Sequence, residues 1–347
     1  MKSFPPTLVD MPKVVMEHIL GELEMRSIIT LRKVCTTLRD FIDFNDSVPQ
    51  LQDLSIYVHT DNIEVWYYAP SGMDAVDYRS PDDQTTRVTY GTTVKTLLGV
   101  NYFESFMTDF KFFISRQKLT LRQFRVTRYY VDDAGDRTTV PQKIIEATGE
   151  ILKNRPRPLP TEELYIGVLD QEELMKILPF LEVKKLTLNS NSNEKMKMEM
   201  EQVLKTEQWG RLENLSVDNF CLDIPIREIH HIGFVNLKVK KIEVKDLVEL
   251  KAVFLATTKP KEFALTYKTF DDSEQLLEVF GPPIITKNIF GQETRTWKTP
   301  YSDDDDSRVL EIHHSRDWIK VTNLENFHEK VRKIREAAGQ NLQDFLY

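Results

Sequence analysis

Only two cysteines, Cys35 and Cys221, occur in the 347 residues. With no cysteine or histidine cluster beside them, they supply neither a disulfide framework nor the ligands of a structural zinc site. A reducing, intracellular setting, cytoplasm or nucleus, is the expectation. Long apolar runs are missing as well. None exceeds five residues, at Val65 to Ala69 and Ala252 to Ala256, whereas a membrane span needs about twenty. The chain reads as neither membrane-spanning nor exported by a signal sequence. It has no excess of positive charge: 46 Lys and Arg stand against 54 Asp and Glu, a net charge of -8. Neutralising phosphates needs the opposite balance, so nucleic acid is not an expected partner.

Signatures of chemistry are also lacking. There is no Gly-rich phosphate loop, no G-x-S-x-G elbow and no H-E-x-x-H. The pairs His230-His231 and His313-His314 are adjacent in sequence, and on a strand adjacent side chains point to opposite faces, away from a shared metal. The run Asp303 to Asp306 lacks the spaced ligands and the glycine of a calcium loop. No catalytic residue, metal or cofactor is expected. An enzyme of unrecognised type would be revived only by a pocket of perturbed titratable groups.

What is present is the composition of a folded protein, 41% hydrophobic and 29% charged, long enough for about two domains. The first fifty residues read as helix, turn, helix. Pro12 suits a first helical turn, where its missing N–H costs nothing, and Asp10 is a candidate cap. Val15, Ile19 and Leu23 then recur four apart, with Met16 and Leu20 beside them. Ser27 is the expected N-cap of a second helix carrying Ile28, Leu31, Cys35, Leu38 and Ile42, widened by Val34 and Phe41. So small a unit cannot bury both stripes within itself. The surplus apolar face packs on the rest of the chain or on a partner, and periodicity does not say which.

The string Met11-Pro12, Val15, Ile19, Leu23, Ile28, Leu31, Val34-Cys35 and Leu38-Arg39 resembles the F-box in order, spacing and residue type. Met11 stands where that family usually has Leu, and Leu38 where an aromatic is common; both remain apolar. The resemblance implies docking onto the Skp-type adaptor of a cullin-based ubiquitin ligase. It makes Pro12, Val15, Ile19, Leu20, Leu23, Ile28, Leu31, Val34, Cys35 and Leu38 the candidate adaptor face or its packing support.

From Leu51 the period becomes two. Leu54, Ile56 and Val58, then Ile63 to Tyr68 after Thr60-Asp61-Asn62, read as a hairpin. Met73 to Gln84 reads as an exposed loop before a strand through Val88 and Tyr90. Phe103, Phe106, Met107, Phe110 and Phe113 form a helical stripe expected in the core. A weak repeat follows: Phe124-Arg125-Val126, Leu164-Tyr165-Ile166, Leu186-Thr187-Leu188, Leu215-Ser216-Val217, Ile242-Glu243-Val244 and Phe263-Ala264-Leu265. Helix-like segments lie between them, at Glu172 to Leu181, Glu194 to Lys205, Leu247 to Ala256 and Ser273 to Phe280. Met196, Met200 and Val203 would share a face of the second of these. The expected architecture is α/β, a small helical head followed by an irregular leucine-rich-repeat-like strand–helix arc. In such an arc Tyr165, Thr187, Ser216, Glu243 and Ala264 form one row on a target-binding surface. A mixed sheet with a solvated second face fits the alternation equally well.

The same region resembles the FTH-type domain that follows the F-box in the nematode F-box A family. The carrying features are Ile56 to Tyr68 and Val88 to Tyr90 behind the F-box, the unit Glu163-Leu164-Tyr165-Ile166, and Val239 to Phe280. The expected organisation is a head over 1–50, a recognition domain over 51–281 and a cap over 282–347. The cap holds strands at Glu293 to Lys298, Arg308 to Ile312 and Trp318 to Val321, then a helix through Leu324, Phe327, Val331, Ile334 and Ala338. Two functions follow. One is a non-catalytic substrate receptor bridging an unknown protein target to adaptor and cullin; the other is a protein-binding scaffold with no ubiquitin output.

Overall fold

Three helices open the chain: α1 (Lys13–Glu22), α2 (Met25–Arg32) and α3 (Thr36–Phe44). The structure, a computed structural model, describes residues 7–44, 50–82, 84–129, 139–190, 196–257, 259–271, 275–287, 289, 291–301 and 309–323. The single second helix expected from the sequence is two. Its first part closes with Lys33 N–H donating to Thr30 and Val34 N–H to Leu31, and the Cys35 carbonyl then accepts from Arg39 to start α3. The break lets both stripes turn inward, so Ile28 and Ile29 on α2 and Leu38 and Ile42 on α3 are buried together. Capping also differs from expectation. Helix α2 begins two residues before Ser27, after Glu24, and Pro12 itself is the N-cap of α1. Asp10 instead accepts from the Thr7 amide and hydroxyl at 2.8 and 2.7 Å.

The chain divides into two compact units, Met1–Asn193 with Lys205–Arg211, and Glu194–Leu204 with Leu212–Tyr347. The first contains the helical head. After it β1 (Asp53–Val58), β2 (Asn62–Ala69), β3 (Gly72–Asp82), β4 (Thr85–Tyr90) and β5 (Thr93–Leu98) pair antiparallel in succession. The stretch from Met73 to Gln84, expected as a loop, is therefore largely strand. Its Val76 and Tyr78 are buried between polar neighbours, an alternation that the Asp, Ser and Pro content had masked. Helix α4 (Tyr102–Arg116) follows, capped by the Asn101 side chain accepting from Phe103 N–H at 2.8 Å. Then come β6 (Leu121–Arg128), α5 (Thr139–Lys153), β7 (Leu159–Gly167), α6 (Gln171–Met175), the short β8 (Leu181–Glu182), β9 (Lys185–Asn189) and α7 (Glu207–Gly210).

Strands β1, β6, β7 and β9 run parallel in that spatial order. Helix α4 packs on β2, β3 and β4, and α5 on α4 and α6. The aromatic stripe lies in this core. Phe106, Phe110 and Phe113 are buried, with Tyr78 5.9 Å from Phe106 and Tyr67 5.2 Å from Phe113, while Phe103 and Met107 sit at its edge. Each such ring removed from water contributes about 1.5–3 kcal/mol.

The second unit holds β10 (Met196–Met198), β11 (Asn214–Asp218), β12 (Phe220–Leu222), β13 (Phe234–Glu243), α8 (Val244–Leu255), β14 (Glu262–Asp271), α9 (Gln275–Phe280), β15 (Ile284–Lys287), β16 (Glu293–Pro300), β17 (Val309–His314) and β18 (Trp318–Thr322). Strands β11, β13 and β14 are parallel; β14, β18, β17, β16 and β15 follow antiparallel. Of the helix expected over Glu194 to Lys205, the described residues 196–205 form β10 and a single 3-10 turn instead. Met196 to Met198 pairs with β12, and Met198, Met200 and Val203 are buried. Apolar residues two and four apart satisfy either period over so short a run, and the partner strand decides. The terminal helical pattern from Leu324 and the run Asp303 to Asp306 lie outside the described residues.

Candidate functional site

The helical head sorts its predicted face into a ridge and a support. Pro12 is exposed, Val15 is 42% and Val34 63% exposed, and Val14 beside them reaches 75%. Ile19, Leu23, Leu31 and Cys35 are half-buried. Leu20, Ile28 and Leu38 are buried. Val14 was missed by the sequence reading because it falls outside the four-apart spacing; its neighbour Val15 was the available signal.

Polar contacts tie this head to the sheet of its own unit. The Arg26 guanidinium donates to the Thr93 hydroxyl at 2.6 Å and lies 5.7 Å from the centre of the Tyr90 ring. Arg32 forms a fork on Asp43 at 2.7 and 2.8 Å. The guanidinium groups of Arg32 and Arg116 stand 4.1 and 4.4 Å from the centre of the Phe112 ring. Lys33 reaches the buried Asp109 carboxylate at 3.8 Å, and Tyr78 donates to the same carboxylate at 2.9 Å. Burial pushes the Asp109 carboxyl up from its ordinary range, against the pull of Lys33 and Tyr78.

The sheet face opposite α4 and α5 in the first unit carries the second site. Cross-strand registers place Trp66 beside Ser55, Ser55 beside Arg125, Arg125 beside Tyr165 and Tyr165 beside Thr187. Tyr165 and Thr187 are therefore neighbours, as expected, although Tyr165 is half-buried. Its hydroxyl accepts from Asn189 at 2.8 Å, and the Arg125 guanidinium lies 4.1 Å from its ring centre. Tyr57 meets Trp66 edge to face at 5.4 Å, Tyr129 at 5.9 Å, and His59 stacks on Tyr129 at 4.9 Å. The Trp66 indole donates to Glu64 at 2.6 Å. A depression of about 530 Å3 opens among Ser55, Tyr57, Tyr68, Arg122, Arg125 and Lys185. Burial raises the Tyr68 and Tyr129 phenols above their ordinary values. The sequence reading missed Trp66, Tyr57 and Tyr68. Their signal was the alternation against Ile63, Val65 and Tyr67, and Arg125 was visible as the centre of the first triplet.

In the second unit Ser216 and Ala264 flank Asn236, which pairs with both. Glu243 is not in that row. It lies seven residues further along β13, opposite Asp271, and forms the N-cap of α8. The triplet that aligns with Leu215-Ser216-Val217 is Val235-Asn236-Leu237; further along β13 the burial alternation slips at the exposed pair Lys240 and Lys241, so that Ile242 is buried out of step with Val235, Leu237 and Val239. Hydrogen bonds from Lys245 and Lys241 hold the Glu243 carboxyl down to about 2. His313 and His314 do point apart: His313 meets Thr296 and Glu311, each at 3.1 Å, whereas His314 is buried against Tyr267. Among the described residues no three His, Cys, Asp or Glu side chains gather as metal ligands, and no helix is long and apolar enough to cross a membrane.

The three short helices lie within residues 8–48, which match the F-box domain. Residues 142–283 match the FTH domain, and this order of domains is consistent with the nematode F-box A family. It is similar to F-box A protein 224 of Caenorhabditis elegans, at 24% identity over 284 residues, covering 80% of this chain and 71% of the relative. No solved structure matches it.

Proposed function

We propose that this chain is a non-catalytic substrate receptor, in which the helical head docks on a Skp-type adaptor and so on a cullin, while the sheet faces hold a protein target. Its mechanism is proximity: a target held beside the transferring subunits reacts at a raised effective concentration. The observation that carries this reading is that Pro12, Val14, Val15 and Val34 are exposed apolar side chains while Leu20, Ile28 and Leu38 are buried, on the segment that matches the F-box. Exposed apolar side chains of this kind gain by leaving water on binding a partner.

Tyr165 and Thr187, with Trp66 and Arg125, are the proposed target contacts of the first unit; Ser216 and Ala264, with Asn236 between them, are those of the second. Tyr, Trp and Arg are the side chains that most often anchor interfaces.

The test is Val15→Asp combined with Val34→Asp. Both positions are exposed, so the helices keep their core, whereas an adaptor interface would have to bury two carboxylates. Pull-down by a purified Skp-type adaptor is expected to fall at least a hundredfold with the melting temperature unchanged. Undiminished pull-down by the folded variant refutes the reading and leaves the scaffold alternative.

A further inference from the structure

Arg125 is placed as a recognition side chain and not as part of an ion pair. Its Nε donates to the neutral Gln123 Oε1 at 3.2 Å, and its guanidinium carbon lies over the Tyr165 ring. Among the described residues it pairs with no carboxylate. Arg122 forms a fork on Asp53, and Glu163 stands directly across from Lys185 on the adjoining strands. The depression carries three cations and three anions, so it selects by geometry and not by net field. What the geometry leaves open is the outer edge of the guanidinium, both terminal nitrogens of a side chain held by stacking and by the Nε bond. Such a fork matches a planar carboxylate through two parallel N–H donors. Tyr57 and Tyr68 line the depression, and the small Ser55, 4% exposed, stands between Trp66 and Arg125 in the row, leaving room where a larger side chain would stand.

We infer that this face binds an extended segment of the target through an acidic side chain, Asp or Glu, seated on Arg125 and flanked by an apolar or aromatic residue against Tyr57 and Trp66. The inference rests on the receptor reading for its biological sense, but its chemistry is separable from it. Besides its proposed contact with the target, Tyr165 supports the guanidinium from below, and Asn189 donates to the Tyr165 hydroxyl in turn.

The experiment uses the full chain and amidated decapeptide pools, degenerate except for a central Glu, Gln or Lys, with a fourth pool that carries central Gln and a free C-terminal carboxylate. Binding is read by fluorescence polarisation. The central Glu pool is expected to bind at least tenfold more tightly than the Gln and Lys pools. Arg125→Gln should abolish that preference and Arg125→Glu should transfer it to the Lys pool, each with an unchanged melting temperature; Lys185→Gln should retain it. Equal binding of the Glu and Gln pools, no binding of any pool, preference for the free carboxylate, or a preference that survives Arg125→Gln overturns the inference. Adaptor pull-down on the same samples is scored separately. Loss of adaptor binding by the wild type defeats the receptor reading without touching the peptide preference, and the converse holds.

Discussion

Arg128 and Glu173 lie 2.7 Å apart with side chains 3% and 7% exposed. Glu173 also accepts from the Leu169 amide at 2.9 Å. Removing one partner leaves the other charged and dry. Glu173→Ala is therefore expected to cost about 3–5 kcal/mol in urea unfolding, whereas Glu207→Ala, which breaks the exposed pair with Arg211, should stay within about 0.5 kcal/mol. His314 gives a pH signature. The Tyr267 hydroxyl donates to the Ser315 carbonyl at 2.7 Å, so at 2.9 Å it accepts from His314 Nε2, which then carries the proton of a neutral ring. Burial, with a smaller push from Arg295, holds the His314 imidazole down to about 4, against 6.5 unfolded. Between those values the unfolded chain binds more protons than the folded one, so stability is full above about pH 6.5 and is lost as pH falls towards 4. Thermal melts from pH 7.5 to 4 should show that decline, and His314→Gln should flatten it. The pairing of Arg128 with Glu173 was not legible in the sequence, because 45 positions separate the two residues and local spacing carries no information about them.

At the scale of elements, α5 meets its neighbours closely enough to exclude a methyl group. A Cβ on Gly149 would overlap the Lys176 carbonyl oxygen, which is backbone and cannot swing away. Alanine improves intrinsic helix propensity by about 1 kcal/mol, yet overpacking costs about 1–3 kcal/mol, and Gly149→Ala is expected to destabilise net. Urea unfolding checks the sign. At the N-terminus of α4 the expectation is conventional: Asn101→Ala removes a cap and should cost about 1 kcal/mol. Elements with long, one-sided patterns were readable, α4 from its phenylalanines and α8 from the segment Leu247 to Ala256. Three were misread where the pattern was short or interrupted. Val34 hid the break between α2 and α3, Asp and Pro disguised β3, and the spacing of Met196, Met198 and Met200 suits a helix and a strand alike.

For the molecule as a whole, no metal is expected to hold the fold. Chelation with a millimolar excess of EDTA should leave the melting temperature unchanged within about 1 °C, because a structural ion contributes folding energy directly and its removal would lower it far more. Metal analysis of the purified chain accompanies that measurement.

Local periodicity and composition by themselves determined the helical head, the change to period two after Leu51, the aromatic core of α4 and the lack of familiar catalytic motifs. These depend on the order of side chains along a few turns or one strand, where the 3.6 and 2.0 residue repeats act directly. The tertiary structure alone decided which strands lie side by side. Trp66, Ser55, Arg125 and Tyr165 come from four strands and share one row only through the registers β1 with β2, β1 with β6 and β6 with β7. Glu243 dropped out of its expected row for the same reason. A strand's alternation is identical in every even register, so its partner's position is set by long-range packing.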